Sequence, residues 1–128
     1  MQKLKISDLS VGDWVQWNDK TYRVCLIDGV SLTVELAEEA GGTIEVAIDE
    51  VTGIPLTTEI LEKNGFELCE WDWIGHDYRC IVQQRGGYWD VLSNKRGYYR
   101  TIRIDGLECV HELQHAIRLA GIEKEIEL

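Results

Sequence analysis

His111-Glu112-Leu113-Gln114-His115 fits the pattern H-E-x-x-H. On a helix, two imidazoles four residues apart can grip one Zn²⁺ ion while the intervening glutamate activates the metal-bound water. The chemistry would be zinc-dependent hydrolysis, with His111 and His115 as ligands and Glu112 as general base. A third protein ligand is hard to find. The metzincin extension requires Gly at 118 and His at 121, where this chain has Arg118 and Gly121. Only Glu123, Glu125 and Glu127 follow as candidates.

The same residues have a plainer reading. Val110, Leu113, Ile117 and Ala120 recur at steps of three, four and three, the stripe of a helix packed on a core. At about 100° per residue, His111 and His115 point roughly 140° or more from the centre of that stripe, onto the polar side. Solvated histidines on an amphipathic helix then need no metal.

Other groups whose types could do chemistry are sparser. Asp49 and Glu50 are a paired-acid candidate without a partner nucleophile, and a solvated strand end accounts for them. Cys69, His76 and Cys80 have the spacing C-x6-H-x3-C, which matches no common zinc module. Cys25, Cys69, Cys80 and Cys109 form no C-x-x-C pair, so neither a zinc ribbon nor a thioredoxin-like motif is indicated, and buried free thiols are expected. No metal or other cofactor is implied.

The charge is −10 overall, with five Lys or Arg against twelve Asp or Glu in residues 1–65 and eight against eleven in residues 66–128. An acidic surface opposes general binding to a phosphate backbone, because that affinity comes from cations neutralising phosphates. The sign reverses locally. Between residues 79 and 103, Arg79, Arg85, Lys95, Arg96, Arg100 and Arg103 accompany one acid, Asp90, and the rings of Tyr88, Trp89, Tyr98 and Tyr99. Cations interleaved with flat rings can bind single-stranded nucleic acid, and Arg79, Arg85, Trp89, Arg96, Tyr98 and Arg100 would line such a surface. In a β-meander, core aromatics on one face and solvated cations on the other give the same pattern.

The elements that must position these groups can be read from periodicity and turn chemistry. Hydrophobic residues at 45% and charged residues at 28% suit a soluble globular chain, and 128 residues suit one domain, 1–128. No apolar run approaches a membrane span, and the start of the sequence lacks a signal-peptide stretch, so a cytoplasmic location is expected. Val11 to Trp17 and Tyr22 to Ile27 flank the polar turn Asn18-Asp19-Lys20, which predicts a hairpin. Leu32, Val34 and Leu36, then Ile44, Val46 and Ile48 around Gly41-Gly42, predict a second. Four short strands opened by Val-Gly-Asp suggest a small SH3-like barrel over residues 1–55.

Pro55 closes that half, and Thr57 is a suitable N-cap for a helix over Thr58 to Asn64 ended by Gly65. Ile60 and Leu61 should face inward, and Glu59 and Glu62 outward. Residues 66–104 carry turn signals at Gly75-His76-Asp77, Arg85-Gly86-Gly87 and Asn94-Lys95-Arg96-Gly97, which predicts a four-stranded antiparallel meander. Trp71, Trp73 and Trp89 would bury against the final helix. The tail Ile122 to Leu128 alternates apolar and charged residues, the pattern of a closing strand. The fold class is α+β, with residues 56–128 supplying the short helix, the meander and a C-terminal helix packed on the sheet.

Three segments carry a resemblance: Val11 to Val15; Ile54-Pro55-Leu56-Thr57-Thr58-Glu59-Ile60-Leu61 through Phe66; and Val110-His111-Glu112-Leu113-Gln114-His115 together with Gly121 to Leu128. They resemble a family of small uncharacterised proteins of anaerobic gut bacteria, often encoded near phage or other mobile-element genes. The resemblance runs from end to end and implies no activity. Its pattern often has Asn at the position of His115 and Gln at that of Glu112, which a zinc hydrolase could not tolerate. It therefore implies that His111, Leu113 and Gln114 are a packing and capping signature.

The expectation is a non-catalytic protein-interaction or accessory protein of phage or mobile-element origin, with another protein as partner. The alternatives are a zinc hydrolase using His111, Glu112 and His115, and a single-stranded nucleic-acid binder using residues 79–103. The acidic front half could also mimic the charge of DNA.

Overall fold

The computed structural model describes residues 4–70, 72–75, 80–94 and 101–128, the side chains of residues 93, 94, 101 and 102 excepted. The chain is α+β, mostly strand, and forms two compact units, Met1–Ile54 and Pro55–Leu128.

The first unit is a five-stranded antiparallel sheet of β1 (Trp14–Trp17), β2 (Lys20–Asp28), β3 (Thr33–Ala37), β4 (Thr43–Ala47) and β5 (Thr52–Gly53) in the order β4-β3-β2-β1-β5. A short 3₁₀ turn, Ile48–Glu50, precedes β5. The described ladders form an open sheet, with β4 and β5 at its two edges. Asn18 and Asp19 both have left-handed φ values, 51° and 62°, and Trp17 pairs with Lys20. Two such residues make the tight turn whose twist matches that of the flanking strands. Val15, Val24, Val34, Leu36 and Val46 supply the buried face, joined by Leu9 and Val51. Asp13 is buried with them, its carboxylate accepting from the Ser10 N–H at 2.8 Å.

The alternation read from Leu32 fails at its first member. Leu32 lies before β3 with φ 55° and is 53% exposed, because a left-handed residue leaves the pleat that keeps Val34 and Leu36 on one face.

The second unit begins with Pro55 and α1 (Thr58–Lys63), where the Thr57 hydroxyl accepts from the Ile60 N–H at 3.3 Å. Leu61 is buried and Ile60 half-buried, while Glu59 and Glu62 are exposed. The meander has five strands, not the four that three turn signals implied: β6 (Glu67–Cys69), β7 (Asp72–Gly75), β8 (Cys80–Arg85), β9 (Tyr88–Asn94) and β10 (Thr101–Leu107), in the order β10-β9-β8-β7-β6. The extra reversal falls at Glu70, a non-glycine residue at φ 58°, where no turn signal marks it.

Gly75 belongs to β7 and pairs with Cys80. A β-carbon there would lie 2.8 Å from the Phe66 ring, so the glycine is a seat for that ring as well as a strand end. Its expected turn partners, His76 and Asp77, and the whole expected turn at 94–97 past Asn94, lie outside the described residues, as does Trp71. Trp73 and Trp89 are buried as expected.

α2 (Val110–Leu119) lies over β9 and β10. Residues 122–128 form no strand, contrary to their alternation. They are tied down differently: Ile122 and Ile126 are buried, and the Asn64 side chain accepts from the Glu127 N–H and donates to the Glu127 carbonyl, both at 2.7 Å. The Lys63 ammonium reaches the Leu128 carbonyl. No helix among the described residues is long and apolar enough to cross a membrane.

Candidate functional site

The H-E-x-x-H residues sit at the start of α2, and each has a position that the motif alone could not supply. Val110, Leu113, Ile117 and Ala120 are buried, as their spacing predicts. His111, expected on the polar side, is buried at 3% exposure, and Gln114 at 9%. At about 100° per residue, the buried positions from Ala116 through Val110 to His111 wrap roughly 220° of the helix, more than one stripe allows. His115 is half-exposed, and its ring meets that of His111 edge-on at 5.8 Å.

The Glu112 carboxylate accepts from the main-chain N–H groups of Glu108 and Cys109, each at 3.1 Å. It is the reciprocal half of a capping box at the helix N-terminus. Both bonds fall on Oε1, so one oxygen of this carboxylate is used for capping. Burial, then the carboxylates of Glu112 and Glu108, pushes the Cys109 thiol up to about 11, which leaves it a poor nucleophile at neutral pH. Among the described residues no three His, Cys, Asp or Glu side chains are grouped so as to hold a metal ion.

The basic, aromatic segment is also more inward than its composition suggested. Trp89 is buried at 4% exposure, so it packs and offers no stacking face. Asp90 is buried at 2%, and its carboxylate accepts from Arg85 Nε and Nη2 at 3.0 and 3.2 Å, from Arg103 Nη2 at 3.5 Å and from the Gly106 N–H at 3.0 Å. Gly106 presents that N–H from a bulge between Ile104 and Leu107, at φ 77°. The Arg85 guanidinium, then the Gly106 N–H, hold the Asp90 carboxyl below the usual carboxylate range against the opposing effect of burial. Arg103 also pairs with Asp105 at 2.6 Å. Arg85 is thus committed to an internal carboxylate. Arg79, Arg96, Tyr98 and Arg100 lie outside the described residues.

The remaining expectations divide. Asp49 and Glu50 are exposed in the 3₁₀ turn, with no nucleophile beside them among the described residues. Of the cysteines expected to be buried, Cys80 is fully so, its thiol pushed up to about 11, and Cys109 is half-buried, but Cys25 and Cys69 are exposed. A shared site at Cys69 and Cys80 would need one buried and one exposed ligand, and His76 is outside the described residues.

The outward features of the first unit carry no motif. At the β2–β3 end the chain presents Leu26, within β2, at 47% exposure, and Val30 and Leu32, in the turn, at 96% and 53%. The turn is fixed: the Asp28 carboxylate accepts from the N–H groups of Val30 and Ser31 at 3.0 and 3.1 Å, and the Ile48 N–H donates to the Leu32 carbonyl at 2.9 Å. The Ser31 and Val30 N–H groups hold the Asp28 carboxyl below its usual range. No turn was expected at Asp28-Gly29, and Leu32 counted as strand, so the residues exposed here were not anticipated.

At the β1–β2 and β3–β4 turns a groove of about 570 Å³ is bounded by Asp19, Lys20, Tyr22, Ala37, Glu38 and Glu39. Trp17 and Tyr22 pack ring to ring at 5.9 Å. Comparison of the chain with protein-family models, with curated proteins and with solved structures finds no match to any of them.

Proposed function

We propose that this chain is a non-catalytic protein-interaction module, working in the cytoplasm as an accessory factor of phage or mobile-element origin, as the sequence resemblance implies. The first unit reads best as a small SH3-like barrel, on the strand order β4-β3-β2-β1-β5 with a 3₁₀ turn before the last strand. The observation that carries the interaction reading is the β2–β3 end. Single exposed apolar residues are ordinary, but here Leu26 at the end of β2 is followed by Val30 and Leu32 on a turn held by Asp28. A leucine at φ 55° costs on the order of 1 kcal/mol where Gly or Asn would cost little, so the position favours an apolar side chain over an unstrained backbone.

The reading is tested by capture from host lysate with the wild-type chain and with Val30→Asp. The variant should keep stability within about 0.5 kcal/mol, since the side chain packs on nothing, and should lose the captured protein. Repeated capture of nothing above background by the wild type, or unchanged capture by the variant, would overturn it.

A further inference from the structure

We propose that the outer face of the β6–β10 sheet docks on the same face of a second copy of this chain, about a two-fold axis running along β8. The surface is separate from the β2–β3 end, so it does not rest on the reading above. Register assembles it. Glu67 pairs with Ile74, Ile74 with Ile81, Ile81 with Leu92 and Leu92 with Arg103, so these residues form one row across all five strands. Their neighbours along the strands, Trp73, Val82 and Val91, are buried, and side chains alternate between faces, so the row lies on the side away from the core. Ile74, Ile81 and Leu92 are half-buried, three branched aliphatic side chains set side by side.

The ends of the row select the partner. One end is an exposed carboxylate, Glu67, and the other a guanidinium, Arg103, 53% exposed. β8 is the middle strand of the five. A half-turn about an axis along β8, lying between two such faces, reverses the strand order of the second copy. Glu67 then stands over Arg103 of the second copy, Ile74 over Leu92, and Ile81 over its own equivalent. An axis across the strands would instead set Glu67 on Glu67 and Arg103 on Arg103, and like charges that face one another repel. Of these two arrangements, the row is complementary to itself only in the first.

The charged contact is prepared in advance. Arg103 donates from Nε to Asp105 and from Nη2 to Asp90, which fixes the guanidinium and leaves further N–H donors of the same fork for an incoming carboxylate. Glu67 enters no ion pair among the described residues. In the next row Asp72 pairs with Gln83 and Gln83 with Asp90, so the same half-turn carries Asp72 over Asp90 of the second copy. That carboxylate is 2% exposed while the Arg85 and Arg103 side chains bonded to it are 64% and 53% exposed, so Asp72 would meet guanidinium. Five strands about 4.8 Å apart present a face roughly 20 Å across and about as long, near 400 Å² per copy. That is the low end of specific interfaces, which implies a reversible dimer rather than an obligate one.

The test is sedimentation equilibrium of the full chain from about 5 to about 500 µM, where the wild type should dimerise with a dissociation constant on the order of 50 µM. Ile81→Glu, which brings two carboxylates together on the axis, should raise that constant more than about tenfold. Glu67→Arg should raise it about fivefold, and by more at low salt; this position is exposed, so the variant serves even if Ile81→Glu does not fold. Val30→Asp should change nothing. In a chain with Cys25→Ser and Cys69→Ser, oxidation by copper phenanthroline should join two Ile81→Cys copies through a disulfide. It should not join two Glu67→Cys copies, whose positions the axis holds at least about 19 Å apart, roughly four strand spacings.

A chain still monomeric at about 500 µM would overturn the proposal. So would dimerisation unweakened by Glu67→Arg or by a folded Ile81→Glu variant, or cross-linking of Glu67→Cys as efficient as that of Ile81→Cys, which would mean another axis. If the chain stays monomeric while Val30→Asp still abolishes partner capture, the dimer falls and the interaction reading stands.

Discussion

The two units differ in how the polar side chains at their candidate sites are used. In the second, Asp90, Glu112 and Asn64 are turned onto the chain itself, onto two arginines, a helix N-terminus and the tail backbone. In the first, Asp19, Glu38 and Glu39 face a groove and three large apolar residues are exposed at the β2–β3 end. Groups that look reactive by type are thus spent on architecture in the unit that holds the motifs, whereas the unit without a motif presents surface. Residue chemistry indicates function only after its internal hydrogen bonds have been counted.

This contrast can be broken or sharpened by substitution. The largest effect belongs to the inward unit: Leu113→Ala, at a fully buried position of α2, should cost about 3 kcal/mol in chemical denaturation, while Val30→Ser in the first unit should stay within about 0.5 kcal/mol. Similar costs at both positions would mean that the tip is packed.

Acid sensitivity comes next. The folded-state pKa of Asp90 is lowered, so its stabilising contribution is present above the unfolded-state value near ~3.9 and is lost as pH falls through the folded-state value. Asp90→Asn should lower stability at neutral pH and flatten the acid limb of the stability profile below about pH 4. A profile parallel to that of the wild type would show that the carboxylate's charge is not what Arg85 and Arg103 hold. Smallest is the helix cap: Glu112→Ala should cost about 1 kcal/mol and Glu112→Gln less, since an amide oxygen can still accept from the Glu108 and Cys109 N–H groups. A much larger loss on the Gln substitution would point to a role for the negative charge that capping does not explain.

Much of the framework was legible in the sequence because its signals are local. Asn18-Asp19 announced a hairpin, Thr57 capped α1, and the spacing of Val110, Leu113 and Ile117 gave the buried stripe of α2. What failed depends on tertiary company. His111 lay beyond the stripe yet is buried, because the covered arc of α2 is wider than one face. Glu70 and Leu32 adopt left-handed backbone that neither residue type advertises, so one reversal was missed and one side chain was placed on the wrong face. The tail's alternation looked like a strand, but a side-chain amide took the place of a neighbouring strand. The groove had no signature at all, since its walls come from turns that are close only once the sheet has formed.

That amide also ties together two distant stretches of the chain. Asn64 bonds both main-chain groups of Glu127 across 63 positions of sequence, so the cap of α1 is completed only when the most distant stretch of the unit has arrived. Joining positions that far apart carries a loop-closure cost, and the Glu127 amide proton should exchange with solvent only through openings that release this contact. One amide resonance thereby reports on whether the tail is docked on α1.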